Sequence, residues 1–293
     1  MIKTVCILSD FHDWHSSQIE KYLRSKKVKV IKANFSDLNV VIKSNMVNFK
    51  NKDSKFNFNG VWVRFIDGGT IEEITYKLSI LHLLKENGIY VHNSAEAIEK
   101  TIDKFRTTAI LSLHKLKTPK TWIVSNREKA KEILSSEISK GPILFKPLLG
   151  SRGKGIQIFC DKKDISQIEI PNKIFYLQEF IGNHKDDNQS DIRVFVSNHK
   201  IITAIERTSH NIVTNASLGA KVKIINISIE LKKLTEKISQ IFNLGYGGID
   251  LKYYQNKYYV LEINSIPSWH ATQKVIKSQI VELFADDFIK LCN

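Results

Sequence analysis

The sequence predicts a parallel α/β layer joined to an α+β region, and three observations carry that reading. Over residues 1–95, short apolar runs alternate with amphipathic helical segments, the pattern of a parallel sheet with helical crossovers. From about residue 120 onward, short β-rich runs follow one another across hairpin-like turns, with helices only near 126–139 and 229–244. The composition, 293 residues with 42% hydrophobic and 25% charged, is that of a folded chain able to build two or three small cores.

The elements follow in order. KTVCILSD reads as a short buried strand, FHDWHSS as a polar loop and QIEKYLRSKK as an amphipathic helix. VKVIKANF and GVWVRF supply the second and third strands. In GGTIEEITYKLSILHLLKENG, Thr70 caps a helix, Glu73 completes a capping box and Gly88 supplies the stop. AEAIEKTIDKFRTTAILSLHKL places Ile102, Phe105, Ala109, Leu113 and Leu116 on one predicted helical face, ended by Thr118-Pro119. Beyond it, TWIV, PILFKPLL, GIQIFC, IFYLQEFI, DIRVFV, KIITAIER, GGIDLKYY and KYYVLEINS are short strands. The polar run GNHKDDNQS, 182–190, divides them and is expected to be a mobile loop. The tripeptides DWH at 13–15 and SWH at 268–270 read as coincidence.

The formal net charge of +14 favours anionic partners, whether nucleic acid, nucleotides or polycarboxylates. No RNA-recognition, helix-turn-helix or zinc-finger pattern is present, so a basic nucleic-acid-binding protein without catalysis is the weaker alternative. No apolar run approaches the roughly 18 residues of a membrane span, and no export leader opens the chain, so a cytoplasmic protein without a membrane partner is expected. Cys6, Cys160 and Cys292 are far apart and form no CxxC pair; they read as reduced thiols.

Three constellations bear chemistry. In GIDLKYYQNKYYVLEIN, a hairpin turning near Asn256 sets Asp250 across from Glu262, with Asn264 on the same face as Glu262. Opposed like charges destabilise a sheet unless a cation lies between them, and two carboxylates with an amide oxygen suit Mg²⁺. On spacing alone, a cation site and two solvent-facing carboxylates are equally good readings. In PILFKPLLGSRGKGIQIF, Lys146 sits within an apolar strand, where an anion would offset the cost of burying it. The following glycine-rich loop, 150–155, can present backbone N–H groups to phosphate, although a hairpin turn with a basic tip is the simpler reading of that loop by itself. In DIRVFVSNHKIITAIER, a turn at Asn198-His199 predicts Asp191, Arg193 and Glu206 on one face, with Arg207 and Asn215 further along; a surface ion-pair ladder reads the same way.

Taken in order, TIDKFRTTAIL, LFKPLLGSRGKGI, YLQEFI, DIRVFV with AIER, TNASLGA, GIDL and VLEINSIP resemble the ATP-grasp superfamily, and within it the RimK-like α-L-glutamate ligases, over roughly residues 90–290. The resemblance implies an ATP-grasp fold: an N-terminal domain over 1–95, a central subdomain with a glycine-rich lid over 96–182, and a C-terminal subdomain with the metal site over 183–293. It implies an ATP- and Mg²⁺-dependent carboxylate–amine ligase, with Mn²⁺ an admissible substitute, that forms an acylphosphate and joins it to an amino acid, glutamate by family habit. By the same resemblance, Lys104 and Lys146 contact phosphates, and Ser151 and Gly153 belong to the lid. Gln178, Glu179, Phe180 and Ile181 form the adenine hinge, Asp191, Val213, Thr214 and Asn215 are further nucleotide contacts, and Arg207 neutralises the transferred phosphoryl group. Asp250, Glu262 and Asn264 fall on the metal ligands.

The chain departs from the family at Ser217-Leu218-Gly219-Ala220 and at Ser265–His270, which leaves the amino-acid substrate open. DFHDWH, the VRFIDGGTIEEITYKLSILHLL segment and the PSWHATQKV ending resemble the pterin-directed subgroup, the tetrahydromethanopterin α-L-glutamate ligases. A small-molecule carboxylate acceptor and an amino acid are therefore expected, with a ribosomal-protein or peptide terminus as the alternative acceptor; a homo-oligomer is compatible with the sequence, which does not fix the oligomeric state. Ligands of α/β layers bind beyond the carboxyl ends of strands, which brings Arg64 and the FHDWH loop to the acceptor side; for His12, Trp14 and His15, packing or solvent exposure is the favoured reading.

Overall fold

The computed structural model describes residues 3–10, 13–51, 54–55, 58–150, 153–161, 163, 174–211, 214 and 219–292. β1 (Thr4–Leu8) leads through α1 (Trp14–Ser25) to β2 (Lys29–Ala33). An antiparallel sheet of β3 (Leu38–Lys43), β4 (Met46–Asn51) and β5 (Ser54–Lys55) precedes β6 (Gly60–Val63), α2 (Ile71–Glu86) and β7 (Tyr90–His92). The main sheet runs β2-β1-β6-β7, all parallel, as expected. The β3–β4 hairpin is absent from the sequence reading, although Ser44 and Asn45, at φ 53° and 59°, form its turn. Helix α1 begins earlier than expected. The Asp13 carboxylate accepts from the backbone N–H groups of His15 and Ser16, so DWHSS is a capped first turn rather than a loop. The Thr70–Glu73 capping box and the left-handed Gly88 stop are present as predicted.

The helix expected over 95–116 is two helices, α3 (Ala95–Ile102) and α4 (Lys104–Leu113). Asp103 interrupts them in an extended conformation and caps α4 through the N–H groups of Phe105 and Arg106. The break ends the helical period, so the predicted apolar face does not exist: Ile102, Phe105 and Leu113 are exposed, while Ala97, Ile98 and Leu111 are buried. Lys104 thereby becomes the first residue of a helix, aimed at the strands beyond.

Those strands are β8 (Thr121–Val124), β9 (Ile143–Lys146), β10 (Gln157–Phe159) and β11 (Phe175–Glu179), antiparallel in the order β10-β9-β11-β8, backed by α5 (Arg127–Glu137) through Ala130 and Leu134. The last sheet runs β14-β13-β12-β15-β16, from β12 (Gln189–Ser197), β13 (Lys200–Ser209), β14 (Lys221–Ile224), β15 (Tyr246–Tyr254) and β16 (Lys257–Asn264). α6 (Ile229–Phe242) covers one face through Leu231, Ile238 and Phe242. The run expected to be a mobile loop is a turn closed by the buried Gln189, whose Nε2 donates to Asn183 O at 2.7 Å and Asp186 O at 3.3 Å. α7 (His270–Gln273) and α8 (Ile280–Leu291) return to the N-terminal layer, where Phe284 and Phe288 share a core with Val5, Ile19, Trp62, Tyr246 and Trp269. No helix among the described residues is long and apolar enough to cross a membrane.

Candidate active site

The floor of the site is one face of the five-stranded sheet, and two β-bulges decide which side chains reach it. Gln255 and Asn256, at φ 47° and 57°, close a tight hairpin in which Tyr254 pairs with Lys257. That register alone would put Leu261 across from Asp250. The bulge absorbs Leu261, and Asp250 pairs with Glu262 as expected. Asn198 and His199, at φ 44° and 63°, turn the other hairpin as predicted. There a register shift between Phe195 and Val196 sets Arg207 across from Asp191, where the sequence reading placed Glu206. Glu206 instead opposes Ile192 on the other face and pairs with Lys223 at 2.7 Å.

The resulting face carries an interleaved charge network. Arg193 grips Asp250 with both nitrogens, Nε to Oδ1 at 2.7 Å and Nη2 to Oδ2 at 2.6 Å. Arg207 donates through Nε to Asp191 Oδ1 at 2.6 Å and through Nη2 to Asp191 Oδ2, and Nη2 also lies 3.1 Å from Asp250 Oδ2. Arg207 is 2% exposed, and its Nη1 has no hydrogen-bond partner among the described residues. Burial by itself would raise the Asp250 carboxyl, but the two arginines more than offset it and hold the group below the ordinary range. Glu262 behaves oppositely: burial and the neighbouring Asp250 charge raise its pKa against the pull of Lys104, Lys146 and Arg193. Asn264 reaches Asp250 Oδ2 at 3.4 Å.

The roof comes from the four-stranded sheet. Lys146 Nζ donates to Gln178 Oε1 at 2.6 Å, and the Gln178 amide is fixed in turn by Thr121 Oγ1 at 3.0 Å and Tyr176 OH at 2.9 Å. Burial, with help from Lys104, lowers the Lys146 pKa to about 8 against the opposing carboxylates of Glu262 and Asp250. Lys104 is also lowered by burial, and its Nζ donates to Gly150 O at 3.0 Å. Gly153 and Gly155 have φ near 71° and 75°, and a Cβ at Gly155 would meet Pro147 at 2.9 Å, so the loop requires glycine there. At the end of β11, Glu179 N–H bonds Lys120 O and Phe180 N–H bonds Pro142 O, leaving Ile181 at the exit.

One cavity gathers Lys104, Lys146, Gly153, Gln178, Glu179, Phe180, Ile181, Asp191, Arg207, Thr214, Asp250 and Glu262. Asn264, on the same strand face as Glu262, meets Asp250 at the edge of this group and is not among the residues that line the cavity. Ser151, Val213 and Asn215 lie outside the described residues, as does His12. Sequence reasoning placed Arg193 on this face without assigning it to the site, and it passed over Lys154, Gln189 and Lys252, which also line the cavity. Strand alternation from Asp250 pointed to Lys252.

A second polar cluster joins the N-terminal layer to the segment after Asn264. His15 Nε2 accepts from Trp269 N–H at 3.2 Å, so the ring is the Nδ1–H tautomer, donating to Asp13 Oδ1 at 2.9 Å. Ser268 Oγ lies 3.1 Å from the same Nε2. The rings interlock crosswise, Trp14 on His270 at 4.6 Å and His15 on Trp269 at 4.5 Å. The two tripeptides form the two halves of one contact. Arg64, 6% exposed, donates to Pro267 O at 3.0 Å and stacks on Trp269. For Trp14 and His15 the packing reading holds.

The sequence pattern of the RimK-like ATP-grasp domain matches residues 101–287. The chain belongs to the RimK-like ATP-grasp family. A tetrahydromethanopterin:α-L-glutamate ligase of Methanococcus maripaludis is 26% identical over 287 residues, 96% of each chain. The α-aminoadipate–LysW ligase LysX of Saccharolobus solfataricus is 31% identical over 206 residues, 66% of this chain and 72% of that one. Among solved structures, the ATP-grasp ligase PsnB with minimal precursor, Mg and ADP superposes at a TM-score of 0.74 with 18% identity, over 99% of this chain and 98% of that one. The RimK-like ATP-grasp assignment makes the protein an ATP-dependent ligase forming a C–N bond, and the ATP-grasp expectation for the fold holds.

Proposed function

We propose that the protein adds L-glutamate to a carboxylate of a pterin-type cofactor, with Mg·ATP as the energy source. One observation carries the site assignment: the buried Arg207, whose Nη1 has no hydrogen-bond partner among the described residues, lines the same cavity as Lys104 and Lys146, a cluster of cations that suits a phosphate chain. The nucleotide lies between residues 96–182 and 183–293, its base at the exit formed by Glu179, Phe180 and Ile181. The side chain of Gln178 holds Lys146 and leaves the base to backbone groups. The pterin acceptor and glutamate are inferred from the relative that matches along nearly the whole chain.

Asp250, Glu262 and Asn264 would hold the divalent cation. The donor set fits: two opposed carboxylates and the side-chain oxygen of Asn264 are hard donors, and Glu262 is raised by burial and then by the Asp250 charge, a repulsion that a cation between the two carboxylates would relieve. Mn²⁺ fits the same oxygen donors. When bound, the ion would shield the negative charge of the phosphates.

The chain's own residues then position the reactants. Lys104 and Lys146 bind phosphate oxygens beside Gly150, Gly153 and Lys154 of the glycine-rich loop. Arg207 faces the γ-phosphoryl group as it passes to the acceptor carboxylate, breaking its bond to ADP and forming the acylphosphate. The glutamate amine attacks the acyl carbon, the C–O bond to phosphate breaks, and the amine proton leaves to solvent. A reducing compartment, the cytoplasm, suits three cysteines that form no disulfide.

The test is ADP release with tetrahydromethanopterin and L-glutamate, with product masses recorded. Added mass of glutamate supports the reading; another amino acid overturns the glutamate assignment, and the absence of both ADP release and Mg·ATP binding overturns the site. Because the Lys146 ammonium is lost above about pH 8, Mg·ATP affinity in equilibrium titrations is expected to fall as pH rises from about 7 to 9, and Lys146→Met should be weak and flat across that range.

A further inference from the structure

The floor of the cavity continues one step past the residues already assigned. Lys252 lies two residues beyond Asp250 on β15 and on the same face, roughly 7 Å along the strand, towards the turn that follows Ile181. Its side chain is held from two directions. Nζ donates to Ser190 O at 2.6 Å, and the methylene next to Nζ packs over Gly182, where a Cβ would come within 3.3 Å. Gly182 has φ 128°, so this close approach requires glycine on conformational grounds as well. The last paired rung between β12 and β15 is Ile192–Leu251, which makes Asp191 the next neighbour of Lys252 across the strands. An ammonium carries three donors, and only the bond to Ser190 O is made among the described residues. Burial lowers its pKa, with Asp191 the largest opposing influence.

The cavity thus has three stations along its length: the base exit at Glu179–Ile181, the cationic end at Lys104, Lys146 and Arg207, and Lys252 with Asp191 between them. A nucleotide spanning base exit to cationic end presents its sugar at the middle station. We infer that Lys252 is a ligand for the ribose of the bound nucleotide, donating to a sugar hydroxyl. This rests on the nucleotide reading above. A fixed ammonium bonding a hydroxyl gives the site a preference for a ribonucleotide over its deoxy analogues, because the analogue leaves one donor of a partly buried ammonium unmatched.

Equilibrium titration of the Mg complexes of ATP, 2′-deoxyATP and 3′-deoxyATP into wild type, Lys252→Met and Lys252→Gln tests this, with thermal midpoints confirming that each variant is folded. Wild type is expected to bind ATP about tenfold tighter than one of the deoxy analogues, and Lys252→Met to bind ATP about tenfold more weakly with that discrimination lost. Lys252→Gln, which keeps a donor, should recover part of it. Equal discrimination in wild type and Lys252→Met, or no discrimination in wild type, overturns the ribose assignment while leaving the nucleotide site intact. Failure of wild type to bind Mg·ATP at all overturns the nucleotide reading itself. A Lys252→Met variant that is unfolded shifts the decision to Lys252→Gln, for which unchanged affinity and discrimination beside a discriminating wild type are the overturning result.

Discussion

Arg207→Met is expected to lower kcat for ADP formation about 10²- to 10³-fold, the effect of removing a preorganised donor aimed at developing charge. The reason lies in how the guanidinium is used. Nε and Nη2 are committed to Asp191 and Asp250, which fixes the plane of the group, and Nη1 has no hydrogen-bond partner among the described residues. Fixed donors need no reorganisation when charge appears in front of them. The same substitution leaves Asp191 buried without its partner, at an expected stability loss of about 3–5 kcal/mol. Asp250 suffers less because Arg193 still holds both its oxygens. Arg207→Lys separates the two effects. A lysine keeps the charge but cannot reproduce the fork, so kcat should stay well below wild type while stability recovers in part. Single-turnover rates measured on protein shown to be folded by denaturant titration decide the matter, and wild-type kcat in both variants would exclude Arg207 from the transferred phosphoryl group.

The order of strands and the hairpin turns were legible because local chemistry writes them. Asn198-His199 and Gln255-Asn256 both adopt left-handed turns, and alternation set Glu262 and Asn264 on one side. The bulges were not legible. Each adds one residue to a ladder, at Ile202 and at Leu261, and neither residue differs in kind from its neighbours. One bulge moved Arg207 into the place expected for Glu206, turning a ladder of mixed charges into an arginine held between two carboxylates. The other corrected a turn centre that had been placed half a residue too far. Because side chains alternate, a single inserted residue decides which of two neighbours faces the site.

The helix over 95–116 misled for a related reason. Asp103 reads as one more polar position on a helix, yet it serves better as a cap, and once it does the helical period restarts at Lys104. That restart carries function, because it turns Lys104 towards Gly150 and the cavity. The pairing of DWH with SWH lay beyond any local signal. The two tripeptides are some 250 positions apart, and only the return of the C-terminal helix to the first layer brings them together.

His15→Ala is expected to cost about 2–4 kcal/mol of stability, as the sum of a lost hydrogen-bond acceptor and a lost ring contact. Trp269 is 1% exposed, and its N–H has Nε2 of His15 as its partner at 3.2 Å; with alanine the donor stays buried and unpaired. His15→Gln offers an amide oxygen to the same N–H and should recover about 1 kcal/mol. A pH signature accompanies the loss. Burial, with Arg64 and His270 adding to it, lowers the His15 pKa, while Asp13 opposes the shift. In the window below the unfolded value of about 6.5, the unfolded chain therefore binds more protons than the native one, so this contribution is complete above about pH 6.5 and is lost as pH falls towards the depressed native value. His92, buried and lowered to about 3, adds a slope of the same sign, which the variants retain. Denaturant titrations between about pH 5 and 7 should thus show a shallower pH dependence in His15→Ala and His15→Gln than in wild type. Equal slopes would mean that the ring is not held neutral by its place between Asp13 and Trp269. The consequence reaches the site, because the segment gripped by His15 and Arg64 runs on directly from Glu262 and Asn264, and Pro267 packs against Gly248 beside Arg193. Loosening the grip frees one wall of the charge network beside Arg193.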